Sequence, residues 1–297
     1  MIKANVAPVL KWAGGKQGIA SRLVELFPSG FDRYFEPFVG GGSVLFTLRP
    51  QKAVIGDAND WLIDTYEAIR EDYTQVARIL DGLENTKERY LRVRSILPRT
   101  LPLFRRAAYL IYLNKTCFRG LFRVNRQGQF NVPYGQYDRR YYDPANLKAV
   151  AEALKNVEFR RGDFELCLRD VTEEDFVYMD PPYYKLGGYS DFNRYTRDQF
   201  RENDHFRLAA LCRELDLRGV RWAVSNSDTA LIRTLFEGYH LNLIENRREI
   251  NLNSQSRNIM ELLITNYAPQ SRPTQGTLFD KFAPKTLDLV SRAPEHK

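Results

Sequence analysis

Phe35-Glu36-Pro37-Phe38-Val39-Gly40-Gly41-Gly42-Ser43 sets three consecutive glycines directly after a short apolar run. Glycines in that place permit a tight turn and let a ligand approach the backbone, and Ser43 opens the next helix near its positive dipole end. The stretch reads as strand, loop and helix, with the strand at 34–39. Working outward, 52–57, 157–164, 175–180 and 219–226 are further short apolar runs, and 16–27, 59–80, 144–155, 203–217 and 228–237 are amphipathic helix candidates between them. Residues 239–249 and 258–267 suit a final antiparallel pair joined by the polar stretch 251–257. Strand alternating with helix predicts an α/β fold with a doubly wound, mostly parallel sheet. Nearly a hundred residues separate the second and third strands, far more than one crossover needs. The excess predicts an inserted, mainly helical domain at 60–142, in a body made of 1–59 and 143–267. A polar, proline-dotted tail follows at 268–297.

Charge singles out the insert. The 297 residues carry 44 Lys and Arg against 37 Asp and Glu, a formal net charge of +7. Between Arg92 and Arg140 stand eleven basic residues against the single acid Asp138, so this window carries +10 and the rest of the chain −3. Tyr109, Tyr112, Phe118, Phe122, Phe130, Tyr134 and Tyr137 interleave aromatics with the arginines. Arginine suits bidentate contacts to phosphate and guanine, so the segment points to nucleic acid. Within it, 122–124 and 129–132 flank Asn125-Arg126-Gln127-Gly128, a turn-rich tetrapeptide that predicts a β-hairpin. No apolar run approaches a membrane span, and the N-terminus lacks a signal-peptide core, which makes a cytoplasmic protein the expectation. Cys117, Cys167 and Cys212 form neither a disulfide framework nor a zinc set, and with His205, His240 and His296 as the only histidines no metal site is expected.

Two further features carry chemistry. Asp57 falls at the end of the second strand, seventeen residues beyond Gly40, where a carboxylate could accept both ribose hydroxyls of a nucleoside cofactor. Val177-Tyr178-Met179-Asp180-Pro181-Pro182-Tyr183 closes the fourth strand at the sheet's carboxyl edge. The prolines fix carbonyl directions and remove competing amide donors. The Asp180 side chain and the Pro181 carbonyl can then accept the two hydrogens of an exocyclic amine, which frees the nitrogen lone pair for an electrophile. Tyr183 offers a flat ring on which a flipped base could stack, worth about 1–3 kcal/mol.

From Pro8 to about Tyr267 the sequence resembles the bacterial DNA adenine N6-methyltransferases of the Dam type, the D12 class. The resemblance rests on Leu10-Lys11-Trp12-Ala13-Gly14-Gly15-Lys16, the glycine loop, Asp180-Pro181-Pro182-Tyr183, and in the insert Gly120-Leu121-Phe122-Arg123-Val124-Asn125 followed by Phe130-Asn131-Val132-Pro133-Tyr134-Gly135. The order of glycine loop, recognition domain and Asp-Pro-Pro-Tyr matches the α class. The resemblance implies a seven-stranded methyltransferase sheet and S-adenosylmethionine as donor, held by Trp12, Lys16, Phe38, Gly40, Asp57, Asp163, Phe164 and Asp180. It also implies double-stranded DNA as substrate, with GATC as the target. Lys11 and Arg123 would read its guanines, Leu121 and Pro133 a thymine methyl, and Asn125 would belong to the same surface. Phe118 stands where the family carries a tyrosine that wedges into the duplex, and Arg119 where it carries a small polar residue. Catalysis would fall to Asp180, Pro181, Pro182 and Tyr183, by direct transfer onto the amine of a flipped adenine. A cytosine C5 enzyme needs a cysteine nucleophile after proline, and no cysteine here follows proline. Cytosine N4 methylation presents the same kind of amine and stays open as an alternative, as does a non-catalytic DNA-binding regulator on the same fold. In the tail, Gln275-Gly276-Thr277-Leu278-Phe279 resembles peptides that dock on the replication sliding clamp. A monomer close to the nucleoid is the default expectation.

Overall fold

The computed structural model describes residues 6–184, 200–247 and 258–269. Seven strands form one sheet: β1 Tyr34–Glu36, β2 Ala53–Asp57, β3 Val157–Arg161, β4 Phe176–Met179, β5 Arg221–Ser227, β6 His240–Arg247 and β7 Asn258–Thr265, in the spatial order β3-β2-β1-β4-β5-β7-β6. Every pairing from β3 to β5 is parallel, and β7 runs antiparallel to both β5 and β6. This is the doubly wound, mostly parallel sheet that the alternation predicts.

The sheet is buried on both faces, which is why its strands read as near-continuous apolar runs. Alternate residues feed two separate cores. Tyr34, Ile55, Phe176, Tyr178, Ala223 and Leu263 enter one, and Phe35, Val54, Val177, Met179, Trp222, Val224, Leu262 and Ile264 enter the other. The first core is covered by helices α1 Ala20–Glu25, α2 Ser43–Leu48, α3 Asp60–Asp81 and α6 Pro144–Ala153; the second by α7 Phe164–Cys167, α8 Glu202–Leu217 and α9 Ala230–Leu235.

The first strand is shorter than 34–39 because Pro37 has no N–H to continue a ladder. Asn59 caps α3, accepting from the Leu62 amide. The helix breaks at Asp72 (φ −155°, ψ 88°), and the Asp72 carboxylate caps the restart through the amides of Thr74 and Gln75. Between β2 and β3 the chain adds α4 Lys87–Arg94 and α5 Leu103–Thr116. These pack into the first core through Tyr90, Val93, Leu110 and Ile111, so that core runs unbroken from sheet to insert. The expected hairpin exists as an arm with a single Val124–Phe130 bridge and not as two strands. Its turn is held by Asn125 N–H to Gln129 O at 2.8 Å and Asn131 N–H to Arg123 O at 2.9 Å. No helix among the described residues is long and apolar enough to cross a membrane. The stretch 251–257 and Gln275–Phe279 lie outside the described residues.

One ion pair fastens the amino ends of β1 and β4. Asp175, only 1% exposed, accepts from Arg33 Nη2 at 2.8 Å, from the Arg33 amide at 3.1 Å and from the Thr172 amide at 2.8 Å. Asp175→Ala leaves two amides without their acceptor and the Arg33 guanidinium with Asp170 alone. We expect a loss of about 1–3 kcal/mol, read as a lowered urea midpoint, with the fold intact by circular dichroism.

Candidate active site

The carboxyl edge between β1 and β4 is the topological switch point of this sheet, since β1 connects towards β2 on one side and β4 towards β5 on the other. Ligands of open α/β sheets bind there. Parallel register (Phe35 opposite Val177) brings Glu36 at the end of β1 close to Asp180 just past the end of β4.

Lys16, 3% exposed, reaches this edge from the loop ahead of α1. Its Nζ lies 2.8 Å from Asp180 Oδ1, donates to Gly14 O at 2.7 Å, stands 3.9 Å from Glu261 Oε2 and sits over the Tyr183 ring at 4.7 Å. The Tyr183 hydroxyl donates to Glu261 Oε2 at 2.8 Å. Burial pushes the Asp180 carboxyl up to about 6, against the opposing pull of Lys16. Burial likewise holds the Glu36 carboxyl well above the usual range, and Tyr34 Oη donates to it at 3.0 Å. The Tyr178 hydroxyl and Ser225 Oγ pair at 2.8 Å beneath the cluster.

The glycine loop lies beside it. Gly40 and Gly42 adopt φ of +48° and +71°. A Cβ on Gly40 would come 2.8 Å from Trp12 Cδ1, so the indole closes down on the loop at the one residue type that admits it. Tyr66 Oη donates to Gly40 O at 2.7 Å. Asp57 accepts from the Gly40 amide at 3.2 Å and the Asn59 amide at 2.9 Å, and burial pushes its carboxyl up to about 6. Its first task is therefore to shape the loop, with further lone pairs left for a ligand. Phe38 stacks on Phe164 with ring centres 5.4 Å apart, and Phe200 meets both rings. Asp163 caps α7 through the Glu165 amide and pairs with Arg207.

The residues singled out in the basic insert gather on the other side of Trp12. Phe122 stacks on the indole at 5.0 Å. Buried Asn114 ties the two segments together: its Oδ1 accepts from the Lys11 amide at 2.8 Å, and its Nδ2 donates to Lys11 O at 2.9 Å and Gly120 O at 3.1 Å. Lys11 itself is exposed and packs over Gly120, where a Cβ would meet its Cδ at 2.4 Å. Burial, with Lys11 and Arg139 adding repulsion, pushes Lys115 down to about 8. Phe118 is 46% exposed, and the Arg119 guanidinium lies 5.2 Å over its ring. Arg119 has φ of +59°, a left-handed conformation that costs a residue with a Cβ about 1–2 kcal/mol. Asn or Asp, whose short side chain bonds locally, tolerates that backbone better. Arg123 donates to Asn131 Oδ1 at 2.7 Å and Asn131 O at 2.9 Å. The Phe118 amide donates to Pro133 O at 2.8 Å, which sets Pro133 beside Phe118. Asn125 is committed to the turn, its Oδ1 accepting from the Gln127 and Gln129 amides at 3.0 Å.

Residues 12–250 match the D12 class N6 adenine-specific DNA methyltransferase family. The chain belongs to this family. Relatives match along most of their length. The type II methyltransferase M.MjaIII of Methanocaldococcus jannaschii is 40% identical over 288 residues, covering 89% of this chain and 100% of the relative. The type II methyltransferase M1.LlaDCHI of Lactococcus lactis subsp. cremoris is 38% identical, covering 89% and 97%. The DNA adenine methylase of Escherichia coli K12 is 33% identical, covering 88% and 95%. A methyltransferase family of this kind uses S-adenosylmethionine in general.

Of the residues singled out from the sequence, Lys16, Asp180 and Tyr183 lie together and Asp57 lies at the glycine loop. Glu36, Glu261, Tyr34 and Tyr66, which no local pattern marks as their partners, lie with them, and Asn114 lies with Lys11. Glu261 was visible as the lone acid in the apolar run Ile259-Met260-Glu261-Leu262-Leu263-Ile264. His205, buried against Tyr184 and Phe200 and pushed down to about 4 by that burial, was also passed over.

A carboxyl whose pKa is raised by folding contributes stability below its ordinary pKa, and that contribution is lost as pH rises through its folded value near 6. Asp180→Asn cannot ionise. Its urea midpoint should therefore fall less than wild type between pH 4.5 and pH 8, by an amount worth about 1–3 kcal/mol. Parallel pH dependence in the two proteins would contradict the burial of Asp180.

Proposed function

We propose that the chain transfers a methyl group from S-adenosylmethionine to the N6 amine of an adenine flipped out of double-stranded DNA, within GATC. The observation that carries the reading is Asp180, half-buried at the switch point between Lys16 and the Asp-Pro-Pro-Tyr aromatic, one step from the glycine loop. The donor residues fit the cofactor. The left-handed Gly40 packed under Trp12 leaves room only for backbone at that point. The Phe38–Phe164 stack supplies an apolar wall, and Asp57 sits at the tip of β2. Trp12, Lys16, Phe38, Gly40, Asp57, Asp163, Phe164 and Asp180 would hold it, and when bound it supplies an electrophilic methyl on a sulfonium. Asp180 accepts one amine hydrogen and the Pro181 carbonyl the other, which aims the nitrogen lone pair at the methyl. Pro182 fixes the direction of that turn, and Tyr183 stacks the flipped base.

Residues 60–142 are the DNA-reading unit on this reading. Arg123, held by Asn131, and Lys11, held by Asn114, present cations to guanine edges. Leu121 and Pro133 supply the apolar contact to thymine. Phe118, with Arg119 stacked on it, is the exposed wedge, and Asn125 shapes the turn that carries Arg123. The enzyme would act as a monomer on DNA in the cytoplasm near the nucleoid, with Gln275–Phe279 as a docking peptide for the sliding clamp.

Incubation of a plasmid with the protein and donor should protect it from a GATC nuclease that requires unmethylated adenine, and complete digestion would overturn the reading. Asp180→Ala should abolish methyl transfer while DNA binding survives. Arg123→Ala should relax discrimination at one guanine by about 1–3 kcal/mol, measured by binding to single-substitution duplexes. A uniform loss across all sequences would show a phosphate contact instead.

A further inference from the structure

Glu261 occupies a core position. It alternates with Leu262 along β7, lies opposite Ser227 of β5 and Ile244 of β6, and is 5% exposed. An apolar residue there would avoid the cost of burying a carboxylate. Two neighbours of its Oε2 belong to the site: the Tyr183 hydroxyl at 2.8 Å and Lys16 Nζ at 3.9 Å.

Lys16 has three N–H donors and three oxygens around it. Gly14 O takes one at 2.7 Å and Asp180 Oδ1 stands at 2.8 Å, while Glu261 waits at 3.9 Å, so a shift of about 1 Å exchanges one carboxylate for the other. The exchange matters because Asp180 cannot serve an amine fully while it is engaged by an ammonium. Other groups facing Asp180 are Glu36 and Tyr34 from β1 and Tyr178 from β4, and none of them is a cation.

We propose that Glu261 is a positioning residue for methyl transfer: it anchors the Tyr183 ring through its hydroxyl and takes up Lys16 when Asp180 turns to the target amine. This rests on the reading of Asp180 as the amine acceptor. Without the second carboxylate, Lys16 would stay on Asp180 and compete with the base. The same negative charge also opposes ionisation of Asp180, so its removal makes that carboxyl more acidic.

Glu261→Gln keeps an acceptor for Tyr183 and removes the charge. The kcat at neutral pH should fall about tenfold with KM for DNA unchanged, and the acid limb of the kcat profile, which follows ionisation of Asp180, should move to lower pH. Wild-type kcat and an unmoved acid limb, even with a lowered melting temperature, would overturn the proposal. Glu261→Asp serves if the glutamine variant does not fold. It keeps the charge but withdraws it by one methylene, and kcat should fall at least about threefold with the acid limb in place. Full wild-type kcat would overturn the anchoring role. The wild-type enzyme is assayed first on adenine-containing duplex: no transfer there removes the proposed reaction itself, whereas active wild type with indifferent variants removes only Glu261.

Discussion

Charge burial at one point of the sheet edge governs how the rest of the molecule is arranged. Asp180, Glu36, Glu261 and Lys16 converge where β1 and β4 lie side by side. Unpaired, each would cost several kcal/mol. The single ammonium, two tyrosine hydroxyls and the Gly14 carbonyl therefore have to be in place together: Lys16 and Gly14 come from one loop, Tyr34 from β1 and Tyr183 from the end of β4. The loop before α1, the ends of β1 and β4, and the middle of β7 are thus fixed relative to one another by polar satisfaction as much as by apolar packing. Desolvation also lifts the pH at which Asp180 and Asp57 change charge to about 6, well above that of a solvated aspartate.

The same loop that delivers Lys16 also joins the sheet edge to the basic insert. Lys11, Trp12 and Lys16 sit within six residues, yet they face different structures. Lys11 is laced to the insert by Asn114 and rests on Gly120; Trp12 has Gly40 on one side and Phe122 on the other; Lys16 reaches Asp180. The arginine-bearing arm therefore touches the glycine loop's surroundings through two contacts, the Phe122–Trp12 stack and the Phe122–Trp61 contact on the helix whose Tyr66 holds Gly40. The continuous core that joins insert and sheet makes the pair move as packed bodies, not as units on a flexible tether.

The fold and the ends of the site were legible in the sequence because they are written in local patterns. Strand runs, the Gly40-Gly41-Gly42 turn and Asp180-Pro181-Pro182-Tyr183 each announce themselves within a few residues, and the +10 window marks the insert without any pairing information. Glu36 and Glu261 were not legible as partners, since nothing local says that β1, β4 and β7 end at one place. Asn114 hides for a related reason: an asparagine in an apolar helix looks like a tolerated polar residue until its three backbone partners are in view. The hairpin shows the reverse case. Its turn was correctly marked by Asn125 and Gly128, but the arms make only one bridge because Phe122 and Phe130 turn inward to the aromatic core, with the two rings 5.8 Å apart.

Asp57, the proposed ribose acceptor, is already fixed by the fold. Both its oxygens already bind backbone amides, one on the glycine loop and one at the start of α3. The carboxylate therefore holds Gly40 in its left-handed turn, and Tyr66 takes the carbonyl of the same residue. With amide and carbonyl both tied, the loop has no inexpensive alternative conformation, and the indole of Trp12 closes the remaining space. On the proposed function, a nucleoside arriving at this edge would meet donors and walls whose ordering entropy was spent during folding, so its binding energy would go into selecting the donor and not into building the pocket.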